Sequence, residues 1–287
     1  MKIHIILDDP ADFEWERWYL EKKYFSFSYG PPVVADARLN KCDCLMIVNY
    51  VGPLVGEIVS KAGRPFIVIF TKKIKLPDGF KKWILQQEKK LVYAPKSLLP
   101  YFSHQLKMEI KPLPEFFLFS ENGEFPKLVK HRIGWISLDR KDPPLNGLYA
   151  LSNLQYHFDF ILIWTGLKDP ILNRFKWSQV MQFTLYSNIE YRLIPHVYGL
   201  SIALVSPKQD TRLFHSAMCI TIGNNKEAIC YIEKDKLGYW EKQLRDVLSN
   251  TEKYIPQLVS RYEELYNSIR PEEEQWLEEL LSLVNQT

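Results

Sequence analysis

Lys208, Gln209, Asp210, Thr211 and Arg212 stand together in "LVSPKQDTRLFHSAM", residues 204–218, between the end of an apolar run and a stretch with helical apolar spacing. Five polar residues at a strand-to-helix junction can do two kinds of work. Asp210 or Thr211 can cap the helix, because both side chains accept hydrogen bonds from the N–H groups that a helix leaves open at its start. The same amides, with Arg212 beside them, can hold a phosphate, and the Asp210 carboxylate can then take ribose or sugar hydroxyls. Taken alone, the cap is the simpler reading.

A second polar group follows the strand pattern in "GWISLDRKDPPLNG". Arg140 and Lys141 form a cationic pair there, suited to a diphosphate: arginine as a planar fork, lysine as a point charge. A solvated loop with two surface cations is the alternative. His196, in "IPHVYGL", can face a base or a phosphate, although a lone histidine is more often a satisfied structural residue. In the first half, Asn49 and Tyr50 end one strand pattern and Thr71 ends another, positions that suit an acceptor or a sugar. His104 lies in an apolar helical stretch and is expected to pack.

The elements that would carry these residues alternate. "KIHIIL", "CLMIVNY", "PFIVIF" and "LVYA" read as strands separated by amphipathic helical segments, the rhythm of βαβ units and a mostly parallel sheet. It stops over "KMEIKPLPEFFLFSENGEFPKLVKH", which has three prolines and an Asn-Gly turn and reads as a connection. A second series then begins with "RIGWISL", "FDFILIWTG", "SIALVSP" and "CITIG", with a helix expected near "KWSQVMQFTLY". The tail reads as three helices, the last opening at Pro271 with acidic residues in its first turn. The expected plan is α/β: an N-terminal Rossmann-like domain over 1–112, a linker over 113–130, a C-terminal Rossmann-like domain over 131–250 and a helical tail over 251–287. The tail is expected to pack back on the N-terminal domain, as the terminal helix often does in proteins of this plan.

The totals exclude several classes. With 287 residues, 46% hydrophobic and 25% charged, the chain has the composition of a globular protein of two domains. No apolar run reaches the ~20 residues of a membrane span, and "MKIHIILDDP" reads as a first strand rather than a leader. A net charge of +3 gives no general attraction to nucleic acid. Four cysteines, Cys42, Cys44, Cys219 and Cys230, show no zinc spacing and suit reduced thiols in a cytoplasmic protein. Asp-x-Asp, Gly-x-Gly-x-x-Gly, Walker and Gly-x-Ser-x-Gly motifs are all missing, so metal-independent chemistry with no bound cofactor is expected.

The second half resembles the C-terminal domain of GT-B glycosyltransferases, in particular the family 4-like (group 1) class. "IGWISLDRKD" runs parallel to that family's Gly-rich strand, with Ser137 for its second glycine, Leu138 for its arginine and Lys141 on its lysine. "FILIWTG" matches a strand ending in glycine, at Gly166. "IALVSPKQDTRLFHSAMCITIG" follows the Pro-Ser strand and the Glu-Ala-Met helix, with Ala217 and Met218 on the Ala-Met. Lys208 and Ser216 stand where the family has glutamates. The resemblance spans roughly residues 131–250.

It implies a GT-B plan, with a nucleotide-sugar donor held by the second domain at Arg140, Lys141, Gly166, His196, Lys208, Asp210, Thr211 and Arg212. An acceptor would lie on the side of Asn49, Tyr50 and Thr71. The expected activity is metal-independent transfer of a sugar from that donor, as co-substrate, to a glycan, lipid, protein or nucleic-acid acceptor. A binding protein that has kept the fold without catalysis, and a nucleic-acid base glucosyltransferase, are the alternatives.

Overall fold

Short apolar runs, in places broken by a single polar residue, form the central strands, and they are covered on both faces, as parallel strands require. The computed structural model describes residues 1–23, 25–88, 90–117, 119, 132–136, 143–164, 183–184, 192 and 194–285. The chain divides into two units, Met1–Phe116 with Ile269–Thr287, and Phe117–Ser268. Each is a Rossmann-like α/β arrangement built on one parallel sheet.

In the first unit the strands are β1 (Lys2–Leu7), β2 (Ser26–Gly30), β3 (Cys44–Val48), β4 (Phe66–Ile69), β5 (Lys90–Ala94) and β6 (Lys111–Pro112). They lie in the order β2-β1-β3-β4-β5-β6, all parallel. Helices α1 (Glu14–Lys23), α2 (Val55–Ala62), α3 (Asp78–Gln86) and α4 (Leu99–Leu106) make the crossovers. Gly63 ends α2 at φ 57°, the left-handed position that glycine adopts without steric cost. Phe70 at the end of β4 stacks on Phe102 of α4 with centroids 4.3 Å apart, one anchor of an aromatic-rich core.

The second unit holds β7 (Arg132–Ile136), β8 (Phe160–Trp164), β9 (Phe183–Thr184), β10 (Ile202–Val205), β11 (Ile220–Gly223) and β12 (Cys230–Tyr231). Their order is β12-β11-β10-β7-β8-β9, again parallel throughout. Its helices are α5 (Leu145–Asn153), α6 (Ile194–Val197), α7 (Arg212–Ser216) and α8 (Leu237–Ser249). Gly147 lets α5 and α8 meet, since a Cβ there would stand 2.7 Å from the Trp240 ring. Residues 183–184, expected within a helix, form the edge strand β9 instead, where Phe183 and Thr184 extend the sheet beyond β8.

The tail also differs from expectation. One helix, α9 (Ile255–Asn285), runs 31 residues with Pro271 in its interior rather than at a helix start. Leu258, Tyr262 and Leu265 are buried before the proline and Trp276, Leu280 and Leu283 after it, so an apolar face continues through that position. Its part up to Ser268 belongs to the second unit and its part from Ile269 to the first. Among the described residues no helix is long and apolar enough to cross a membrane.

Candidate functional site

In open parallel sheets, ligands gather outside the carboxyl ends of the strands, where the strand order reverses and neighbouring loops part. The second unit reverses between β7 and β10, which the chain leaves in opposite directions. Residues 137–142 follow β7; Arg140 and Lys141 lie outside the described residues, as does Gly166 beyond β8. Ser206–Thr211 follow β10.

This second loop is wired internally. The Gln209 side-chain amide donates to the Ile136 carbonyl at the end of β7, and its oxygen accepts the Ser206 N–H at 3.1 Å. Asn225, 6% exposed, donates to the carbonyls of Ser206 (3.2 Å) and Gln209 (2.8 Å) and accepts the Glu227 N–H at 3.0 Å. The Gln209 bond to Ile136 and the Asn225 bonds to Ser206 and Gln209 fix the loop after β10 to the ends of β7 and β11, so its backbone is held before any ligand arrives.

Asp210 provides the cap. Its Oδ1 accepts the Arg212 N–H at 2.9 Å, and its carboxylate also takes the Arg212 guanidinium, with Nη2 to Oδ2 at 2.6 Å. Burial pushes the Asp210 carboxyl up, but the hydrogen bonds and charge of Arg212 outweigh it and the net shift is downward. Thr211 occupies the N-cap position without a side-chain cap bond. It is 1% exposed and directs its hydroxyl to Glu227 Oε2 at 3.2 Å. Arg212 also lies over the Phe117 ring, 5.7 Å from its centroid.

Beside this loop is a cavity of about 890 Å³. Four cations line it, Lys208, Arg212, Lys226 and Arg261, with three carboxylates, Asp210, Glu227 and Glu264. His215 and Tyr231 complete the parts that can recognise a ligand. The structure therefore brings Lys208, Asp210, Thr211 and Arg212 to one cavity.

It does not bring His196 there. His196 is in α6, just before β10, and the following Tyr198 carbonyl accepts from Arg132, the first residue of β7. That is the amino end of the strands, opposite to the end that carries the cavity. Burial pulls this imidazole down to about 4.

In the first unit the order reverses between β1 and β3, and Asn49 and Tyr50 directly follow β3. Asn49 and Thr71 are bonded to each other: Asn49 Nδ2 donates to Thr71 Oγ1 at 2.7 Å, and the Thr71 N–H donates to Asn49 Oδ1 at 2.9 Å. They latch the ends of β3 and β4, with Asn49 held at φ 55°. The Tyr50 ring folds over Gly52, where a Cβ would meet its hydroxyl at 2.4 Å. Among the described residues no group of histidine, cysteine, aspartate or glutamate side chains could hold a metal ion.

No protein-family model matches the chain, and no curated protein matches it. Solved structures give likenesses. One is to Anabaena Alr3699/HepE in complex with UDP and glucose, at 11% identity over 98% of this chain and 100% of that one, with a TM-score of 0.47. Another is to a protein from Listeria monocytogenes assigned as a UDP-N-acetylglucosamine 2-epimerase, at 9% identity over 90% of each chain and a TM-score of 0.45. A third is to Arabidopsis thaliana UGT89C1 complexed with quercetin, at 9% identity over 99% of this chain and 91% of that one, with a TM-score of 0.41. At these identities and scores no residue role passes from them to this chain.

Sequence reasoning did not find His215, Asn225, Arg261 or Glu264. Asn225 had a local signal, since "GNN" follows a strand and asparagine is a turn residue that bonds nearby backbone. Arg261 and Glu264 had none. They stand on the polar face of a helix far along the chain, and only the fold brings them to the β10 loop.

Proposed function

We propose that the protein is a GT-B-type glycosyltransferase that binds a nucleotide-sugar in the cavity of its second unit and transfers the sugar to an acceptor without a metal ion. The observation that carries this reading is the cavity's position and lining. It lies at the strand carboxyl ends of a Rossmann-like sheet, beside the reversal of strand order, with Lys208, Arg212, Lys226 and Arg261 interleaved with carboxylates. Cations suit the diphosphate and carboxylates suit ribose and sugar hydroxyls. In transfer, the same cations would stabilise the charge that grows on the leaving diphosphate. The resemblance over residues 131–250 points the same way and adds Arg140, Lys141 and Gly166 to the proposed donor contacts. Asn49, Tyr50 and Thr71 are the proposed acceptor side.

One observation favours a second reading, binding without transfer. Ser216, at a position where the resembling family has a glutamate, is buried and donates its hydroxyl to the Leu213 carbonyl at 2.8 Å.

Calorimetry and thermal shift with UDP-, GDP- and dTDP-sugars test binding, because a ligand of the native state raises its stability by mass action. Arg212→Ala should weaken binding by about 1.5–3 kcal/mol, the worth of a hydrogen bond to a charged group. Release of free nucleotide from a bound donor separates transfer from binding alone. If no sugar nucleotide raises the melting temperature, the proposal fails.

A further inference from the structure

The cavity wall contains an imidazole that the reading above leaves without a role. His215 is 4% exposed and sits in α7. Its Nε2 is hydrogen-bonded to Thr221 Oγ1 at 3.1 Å, and that oxygen also accepts the Ile229 N–H at 3.0 Å. One edge of the ring is thereby fixed to β11. Charged groups line the cavity around it from every neighbouring segment: Lys208, Asp210 and Arg212 from the β10 loop and α7, Lys226 and Glu227 from the loop after β11, and Arg261 and Glu264 from α9. Burial pulls the imidazole down to about 4, the Arg261 charge acts in the same direction, and Asp210 and Glu264 oppose them.

Resting on the reading that a nucleotide-sugar diphosphate occupies this cavity, we propose that His215 takes up a proton when the diphosphate binds and then acts as a further cation against it. Burial chiefly keeps the ring neutral and the Arg261 charge adds to it; two negative charges brought into the cavity oppose Arg261 and attract the imidazolium directly, in the same direction as Asp210 and Glu264. The proton comes from solvent and returns there when the ligand leaves. Thr221 keeps the ring in place in both states, since its hydroxyl can either donate to Nε2 or accept from it. In transfer the leaving group's charge rises, so a proton on His215 favours departure. His215 is thus a pH-linked binding residue, fixed by Thr221 and tuned by Arg261.

UDP-glucose, GDP-mannose and dTDP-glucose are suitable probes, because a diphosphate esterified at both ends does not itself titrate near neutrality. Calorimetry in buffers of different protonation enthalpy, near about pH 6, counts protons taken up on binding. The wild type should take up a measurable fraction of one proton. Its dissociation constant should rise with pH, by up to about tenfold per unit across the titration. His215→Gln, which keeps a hydrogen-bonding side chain toward Thr221, should bind with uptake near zero and a flatter pH profile. The His215 ring resonance of the wild type gives the same answer without a variant: it should titrate closer to neutrality with ligand than without. If a sugar nucleotide binds with no uptake, if uptake survives in His215→Gln, or if the resonance ignores the ligand, this inference is overturned while the functional reading stands. If none of the three binds, the functional reading fails and the inference falls with it.

Discussion

Three histidines are kept neutral by burial, and together they set how the protein responds to acid. His4 is fully buried in β1, with Nδ1 2.7 Å from Ser28 Oγ and Nε2 3.5 Å from Asp36 Oδ2. Burial lowers its pKa more than Asp36 raises it. His196 and His215 are pulled down to about 4. An unfolded histidine titrates near about 6.5, so below that value the unfolded chain binds more protons than the native one and stability falls. Asp36 and Asp246, each held at about 2 by hydrogen-bonding partners, work in a lower window, because their contribution is lost only below the ordinary aspartate range. Urea midpoints should therefore begin to drop near about pH 6.5 and continue to about pH 4, before the aspartates respond. His196→Gln and His215→Gln should each make that slope shallower. A midpoint that stays flat down to pH 4 would rule out buried neutral histidines. The sequence left His196 open between a ligand contact and a satisfied structural residue, and it carried no signal for His4 or His215. Burial, not residue type, decides what a histidine does.

At the scale of elements, close approach of neighbouring strands explains both what was legible and what was not. β3, β4 and β10 were readable because their apolar runs are continuous, and β1 and β11 because only His4 and Thr221 interrupt theirs. β2, "SFSYG", alternates serine with aromatics and is a half-exposed edge strand, so it carries no such run. Pro271 read as a helix start because proline favours the first turn, yet the apolar face continues on both sides of it and packing overrides propensity. Gly223 tests how strictly β10 and β11 fit. It pairs with Val205, and a Cβ there would stand 2.2 Å from the Val205 carbonyl oxygen and 2.7 Å from Cγ2. The first of these is backbone, so Gly223→Ala must move a strand, and overpacking of this kind costs about 1–3 kcal/mol or more. Asn224 and Asn225 follow immediately, so the loop anchored by Asn225 should loosen as well. Gly238 is the control. It lies in α8, and a Cβ there would meet open space, so Gly238→Ala should stabilise by about 0.5–1 kcal/mol through helix propensity. Denaturant midpoints of the two variants should move in opposite directions, and a neutral Gly223→Ala would show that the strands are not in contact as described.

At the scale of the whole chain, two sheets of different strand order follow from two runs of βα units, and that alternation was legible from periodicity alone. What periodicity does not carry is where a distant helix returns. From Ile269 onward α9 belongs to the first unit. There Trp276, 2% exposed, packs edge-on against Tyr93 and Phe116 with centroids 6.3 and 5.6 Å away. Glu273 is buried and accepts from Tyr19 Oη at 3.1 and 3.0 Å, and Glu279 accepts from Tyr93 Oη at 2.5 Å and Lys111 Nζ at 2.7 Å. The last turns of the chain thus complete the core of the unit that its first residues begin. Trp276→Ala removes the largest side chain of this contact and leaves a cavity, at a cost of about 3–5 kcal/mol. It also removes an aromatic cover from the Tyr93–Glu279 bond, which then meets water. Amide exchange should speed up over residues 269–285 and in β5, whose Tyr93 loses its neighbour, while β10 and β11 keep their protection. Glu279→Gln is the milder companion: it keeps the shape, weakens the charged bond to Lys111 and should cost about 1–2 kcal/mol at most. If Trp276→Ala leaves exchange in β5 unchanged, the helix end does not share that core.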